Sequence, residues 1–185
     1  GLTAASDVVV SADGGSVYAI GLQDNSLVAF RRDADKGLDA ASAGQHLVYQ
    51  AQYSQGGGID GLARPSQIQV SADGRSVFVT SEENNSLAVF DRDHVATSPT
   101  FGQLTFRQVL RDGVGGVDGL LGARGIALDE NGQHVYVAGS FESAIAVFRR
   151  DASRNLSLLE VVRGGSNGVT GLNGIRDLVV TRDRR

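Results

Sequence analysis

The chain of 185 residues contains no cysteine, no methionine and no tryptophan, and only 2 prolines and 3 histidines. Without cysteine there is no disulfide, no thiolate zinc site and no thiol nucleophile. Without methionine the chain is expected to be a section of a longer product, with Gly1 and Arg185 as boundaries set by processing. The histidines, His46, His94 and His134, share no short metal-ligand spacing, which argues against zinc. A net charge of −4 lacks the clustered basic excess that phosphate backbones require, so nucleic acid is not an expected partner. No apolar run approaches the roughly 18 residues that cross a bilayer, and no membrane insertion is expected.

What the chain has in excess is glycine, 25 of 185 residues, alongside an ordinary 41% hydrophobic and 21% charged content. That balance suits a folded chain with many turns rather than a disordered one. It is also repetitive. Residues 1–33, GLTAASDVVVSADGGSVYAIGLQDNSLVAFRRD, and 61–93, GLARPSQIQVSADGRSVFVTSEENNSLAVFDRD, are identical at about half of their positions without a gap. A third copy opens at Gly119-Leu120 and runs through RGIALDENGQHVYVAGSFESAIAVFRRD, and a fourth opens at Gly171-Leu172 with IRDLVVTRD. The copies start 60, 58 and 52 residues apart, close to the length of a four-stranded propeller repeat.

Each copy holds four runs rich in Val, Ile, Leu, Phe and Tyr. The first run is Asp7–Ser11, Gln67–Ser71, Gly125–Asp129 and Asp177–Thr181. The second is Ser16–Gly21, Ser76–Ser81 and His134–Gly139; the third is Ser26–Arg32, Ser86–Arg92 and Ala144–Arg150. The fourth is His46–Tyr53, Gln103–Leu110 and Asn155–Val162. Asp13-Gly14, Asp73-Gly74 and Asn131-Gly132 separate the first two runs, as tight hairpins require. The inner runs are apolar almost throughout, which fits strands buried on both faces by stacked neighbours. No helical period extends beyond about ten residues. The fold class expected is all-β, a partial β-propeller of three four-stranded antiparallel blades, residues 1–60, 61–118 and 119–170, plus the first strand of a fourth in 171–185.

The pattern GLxxxxxVxVSADGxSVYVxxxxxNSLAVFxRD, with a Leu-x-Phe strand and a Gly-Val-Asp-Gly-Leu link after it, resembles the repeats of lactonase-type seven-bladed β-propellers and the related YVTN surface repeats. The resemblance covers essentially the whole chain. It implies either a lactone hydrolase or carboxymuconate-cyclising enzyme, or a non-catalytic extracellular propeller, since fold alone does not select between them. It also implies an exported protein, extracellular, at the cell surface or periplasmic.

Several motifs have structural readings. Gly56–Gly61 matches the dinucleotide pattern G-x-G-x-x-G, but a strand follows it where a helix is needed, so it reads as a blade-to-blade link. Gly164–Gly168 matches G-x-S-x-G, again without the strand-to-helix turn of a nucleophile elbow. Asp33, Asp35 and Asp39 form a solvated turn or, as a weaker alternative, a calcium site, although Gly37 breaks the EF-hand spacing. Asp60, Asp118 and Thr170 precede the Gly-Leu pairs, and Asp112 lies in the same link as Asp118; Asp or Thr there is expected to cap a turn.

The first run is innermost in a propeller and lines its channel. Aligning the copies places Ser6, Ser66, Arg124 and Arg176 in one column, beside Asp7, Gln67, Gly125 and Asp177. The resemblance makes this channel mouth the place for a ligand, and two arginines suit a carboxylate or phosphate. The competing reading pairs them with Asp7 or Asp177 of neighbouring blades. No column is acidic or histidine in every copy, so a non-catalytic scaffold or interaction module is the expected function. The alternative is a lactonase-like or cyclase-like enzyme using Arg124 or Arg176. Three blades cannot close a ring, so self-association or docking with missing blades of the parent chain is expected, and no cofactor is required.

Overall fold

The structure, a computed structural model, describes residues 1–32 and 46–181. Among the described residues strands and turns account for the regular structure, and no helix is long and apolar enough to cross a membrane. Blade 1 is an antiparallel meander of β1 (Ala5–Val10), β2 (Ser16–Gly21), β3 (Ser26–Arg32) and β4 (Leu47–Ser54). Blade 2 repeats it with β5 (Pro65–Val70), β6 (Ser76–Ser81), β7 (Ser86–Arg92) and β8 (Leu104–Arg111). Blade 3 follows with β9 (Ala123–Leu128), β10 (His134–Gly139), β11 (Ala144–Arg150) and β12 (Leu156–Arg163). The three sheets are the expected partial propeller.

Second and third strands fall where the sequence puts them. The first strands start two residues earlier than expected and end one earlier, because Ser11, Ser71 and Asp129 already belong to the hairpin turn. The fourth strands each run one residue further along the chain. In the fourth copy, residues Asp177–Thr181 pass beside β9, with Asp177 against Gly125, but form no strand among the described residues. A first strand needs a second strand for its ladder, and no described residue pairs with it as one.

The core lies between the blades. Tyr18, Ile20 and Leu27 of blade 1 pack on Ile68, Val77, Val79 and Phe90 of blade 2. Phe78, Leu87 and Val89 of blade 2 pack on Ile126, Val137 and Phe148 of blade 3. Toward the rim, Tyr53 packs 6.1 Å from Phe90, which meets Phe106 edge-on at 5.6 Å.

Each joint is also closed by an arginine ending a third strand. Arg92 is fully buried; its Nη2 donates to Asp13 Oδ2 at 2.9 Å and Ser16 Oγ at 2.9 Å across the joint. Its Nη1 donates to Gly74 O at 3.0 Å and its Nε to the Tyr18 hydroxyl at 2.8 Å, with the guanidinium 4.9 Å from the Phe101 ring. Arg150 repeats the arrangement at the second joint, reaching Asp73 Oδ2 at 3.0 Å and Ser76 Oγ at 2.9 Å. Burial works against the Asp13 and Asp73 carboxylates. The Ser11 or Ser71 hydroxyl, a backbone amide and the incoming arginine outweigh it and hold both below the usual carboxylate range.

Removing the Arg92 guanidinium leaves the Tyr18 and Ser16 hydroxyls and the Gly74 carbonyl without their buried partner, while Asp13, 41% exposed, turns to water, a combined cost of about 2–4 kcal/mol. Arg92→Ala should therefore lower the melting temperature by roughly 10 °C in a calorimetric scan. Because Asp13 and Asp73 ionise more readily folded than unfolded, their contribution is complete above about pH 4, the ordinary carboxylate value, and is lost as pH falls through the folded values. Urea midpoints should be flat from about pH 5 to 7 and drop below about pH 4, less steeply in Asp13→Asn.

Candidate functional site

The inner strands β1, β5 and β9 stand side by side around the channel and enter it through a shared device. Ala4, Arg64 and Gly122 take positive φ, 53°, 51° and 69°, turning the chain into the strand, and Gly174 takes 65° at the same place in the fourth copy. The ladder then slips by one residue, with Ala5 opposite Gly21 but Asp7 opposite Ile20, and likewise between Pro65 and Gln67 and between Ala123 and Ile126. The extra residues are Ser6, Ser66 and Arg124, so a β-bulge aims each at the channel.

Ser6, Asp7, Ser66, Gln67, Arg124, Arg176 and Asp177 line one cavity of about 230 Å³. The structure thus brings the whole expected column together at the channel mouth. Within it the polar atoms serve the joints. Asp7 Oδ2 accepts the Ile68 amide at 2.9 Å and its Oδ1 the Val8 amide at 2.8 Å. Gln67 Oε1 accepts the Ile126 amide at 2.5 Å while its Nε2 donates to Asp177 Oδ1 at 3.3 Å. The Ser6 hydroxyl donates to Pro65 O at 3.0 Å and the Thr80 hydroxyl to Arg124 O at 2.6 Å.

The expected pairing of Arg124 with Asp7 or Asp177 is corrected. Arg124 Nη2 meets Glu82 Oε1 at 2.8 Å, because the bulge turns its side chain toward the residue after β6, while the two aspartates are taken up by backbone amides. Glu82 was missed because its column reads Leu22, Glu82 and Ser140, acidic only once. Arg176 makes no ion pair among the described residues; it faces the same cavity as Arg124.

The other motifs resolve into turns. Asp60 Oδ1 accepts from Gln55 Nε2, from the Gly61 amide and from Arg111, which together hold its carboxyl below the usual range. Asp118 likewise accepts the Gly119 amide, and its pairing with Arg163 lowers it. Asp112, Asp118 and Glu142 bring carboxylate oxygens within 4.8 Å of one another, a cluster the sequence did not suggest. Asp112 accepts the Leu120 amide, Glu142 the Leu121 amide, and Arg163 donates to both Asp118 and Glu142. His134 Nδ1 lies 2.9 Å from Asp129 Oδ2 in the β9–β10 turn, while His46 precedes β4 and His94 follows β7, in the connections between third and fourth strands of the other two blades. Gly165 to Gly168 turn back from β12 without a following helix, so Ser166 is no nucleophile elbow. Asp33, Asp35 and Asp39 lie outside the described residues.

Replacing a side chain that answers a partly buried amide costs about 1–2 kcal/mol. Gln67→Ala should lower stability by that amount in urea titration and loosen the β5–β9 joint, seen as faster amide exchange at Ile126.

No curated protein matches the chain. Among solved structures it is similar to the Pseudomonas aeruginosa periplasmic gluconolactonase PpgL, at 25% identity and a TM-score of 0.64, over 86% of this chain and 39% of that one. It is similar to a functionally unknown protein from Desulfotomaculum acetoxidans, at 19% identity and a TM-score of 0.63, over 94% and 45%. The β-propeller domain of Cps50 (Swd1) from Myceliophteria thermophila aligns at 14% identity and a TM-score of 0.60, over 86% and 43%. The last two likenesses are of fold alone. The chain spans 39% to 45% of the length of these three structures. The family model described as "Lactonase, 7-bladed beta-propeller" matches residues 40–160, well over half of the chain. The repeats, the bladed sheets and this match lead to one conclusion: the chain belongs to the seven-bladed lactonase β-propeller family.

Proposed function

We propose that the chain is a non-catalytic propeller scaffold, an interaction module of a larger exported repeat protein acting outside the cell, at its surface or in the periplasm. The observation that supports this is the use made of the channel mouth. Asp7 and Gln67 cap the amides of the neighbouring inner strand, Arg124 is tied to Glu82, and Asp177 accepts from Gln67 and its own strand. Acid–base catalysis needs a carboxylate or imidazole poised toward a substrate proton; here the two carboxylates lining the cavity hold the blades together. The exported location rests on the resemblance to surface repeats and on the periplasmic relative. The rest of a seven-bladed ring is supplied by a longer chain, and no cofactor enters.

A second reading is favoured by Arg124 and Arg176 lining one cavity. In it the chain is part of a lactone hydrolase or carboxymuconate-cyclase-like enzyme in which these guanidiniums orient a substrate carboxylate. Glucono-lactone hydrolysis by the full-length protein, followed by proton release at constant pH, separates the two. The scaffold reading expects the buffer rate, unchanged in Arg176→Ala; turnover that disappears in Arg124→Ala or Arg176→Ala would replace it with the enzymatic one.

A further inference from the structure

The two joints inside the chain differ at the rim, and the difference leaves a cavity in the second. In the first joint Tyr53, opposite Leu27 in the ladder, lays its ring 6.1 Å from Phe90, which meets Phe106 at 5.6 Å. The Tyr53 hydroxyl reaches across to accept the Leu104 amide at 2.7 Å. In the second joint the Tyr53 column holds Leu110, opposite Leu87, and the Phe106 column holds Leu158, opposite Phe148. Ile59, packed against the first joint from the link between blades, becomes Val117 in the second. The second link is also one residue longer, Gly113–Gly119 against Gly56–Gly61. Two aromatic rings and a methylene are thus missing from the rim of the second joint.

The polar task of the missing hydroxyl is taken over by another side chain. Gln108, opposite Val89 where the first blade has Ala51 opposite Ala29, accepts the Leu156 amide on Oε1 at 3.0 Å and donates from Nε2 to Leu156 O at 3.1 Å. The second joint is therefore closed without a ring, and a cavity of about 610 Å³ remains between β8, β12 and the link. That volume is ample for a small molecule. Leu110, Val117 and Leu158 give it apolar walls, and Asp60 and Arg111, 2.7 Å apart, also line it. Among the described residues Asp60 takes its side-chain hydrogen bonds on Oδ1 and Arg111 donates through Nη2, which leaves Oδ2 of the one and Nη1 of the other free.

An acceptor and a donor side by side match a single hydroxyl, which donates to the first and accepts from the second. A carboxylate would meet the charge of Asp60, and an ammonium that of Arg111. We propose that the cleft between blades 2 and 3 binds a small phenol, with its ring against Leu110 and Leu158 and its hydroxyl between Asp60 and Arg111. The ring enters the columns that are aromatic in the first joint. The cleft shares no lining residue with the channel mouth, so the site stands under either reading of that mouth.

Isothermal titration of the full-length protein with p-cresol, toluene and benzoate tests the site without reference to turnover. p-Cresol should bind with a Kd of about 0.1–1 mM, and toluene and benzoate about tenfold more weakly. Arg111→Ala should weaken p-cresol about tenfold and leave toluene unchanged. Leu110→Tyr puts the ring of the first joint back into the second, and Leu158→Phe does so from the other blade; each should abolish p-cresol binding without lowering the melting temperature, and either one suffices if the other does not fold. No p-cresol binding at millimolar concentration overturns the inference, as do equal affinities for p-cresol and toluene. Binding that persists in a folded ring-restoring variant places the phenol elsewhere and overturns it too. A glycyl-tyrosyl-glycine peptide that binds more than tenfold tighter than p-cresol overturns it by making the cleft a docking place for a polypeptide.

Discussion

A guanidinium buried between two sheets is tolerated only when its donors are answered, because desolvation of the charge otherwise outweighs any local attraction. Arg92 satisfies that condition with groups from both sides of the joint: the Gly74 carbonyl from its own blade, and Asp13, Ser16 and Tyr18 from the blade before. The demand is positional as well as energetic. A small slip of β7 against blade 1 would leave a charge without its partners. Burial in this chain therefore converts an ordinary ion pair into a register pin, and the apolar packing around it inherits that register.

Seen from channel to rim, a joint has three kinds of contact in sequence. Side-chain caps on inner-strand amides lie innermost, from Asp7 to Ile68 and from Gln67 to Ile126. Apolar residues such as Ile20, Ile68 and Val79 fill the middle, where directional bonds are not needed. At the rim of the first joint the Tyr53 hydroxyl accepts the Leu104 amide at 2.7 Å while its ring packs against Phe90. The middle layer supplies most of the cohesion, since burial scales with apolar area, and the polar layers on either side supply the angle between sheets. Stability in such an array is carried by neighbour contacts.

The repeat, the hairpins and the run of apolar strands are legible in the sequence because period and turn chemistry are local. Asp13-Gly14 and Asp73-Gly74 announce their turns directly, with both glycines at positive φ. The joints are less legible. Arg92 and Arg150 stand in a visible column, but their partners lie 79 and 77 residues away, and nothing in the strand pattern says that the arginine ending a blade's third strand serves the blade before it. Positive φ at Ala4 and Arg64 carries no glycine to mark it, and is sustained at Arg64 by a hydrogen bond that its amide donates to Asn25 Oδ1 of the preceding blade. The pairing of Arg124 with Glu82 had no column signal, since glutamate stands in its column only once, between Leu22 and Ser140.

The bulges at Ser6, Ser66 and Arg124 separate two kinds of selection. An extra residue has no opposite number in the ladder, so its side chain can change identity while the strand's hydrogen bonds and the sheet's inward and outward alternation stay as they are. The neighbouring column, Asp7 and Gln67, has no such freedom, because it answers an amide in the next blade. A propeller built in this way has one editable position per blade around its channel. Successive duplications can write a new ring of groups there, serine in two blades and arginine in the third of this chain, without renegotiating the fold that displays them.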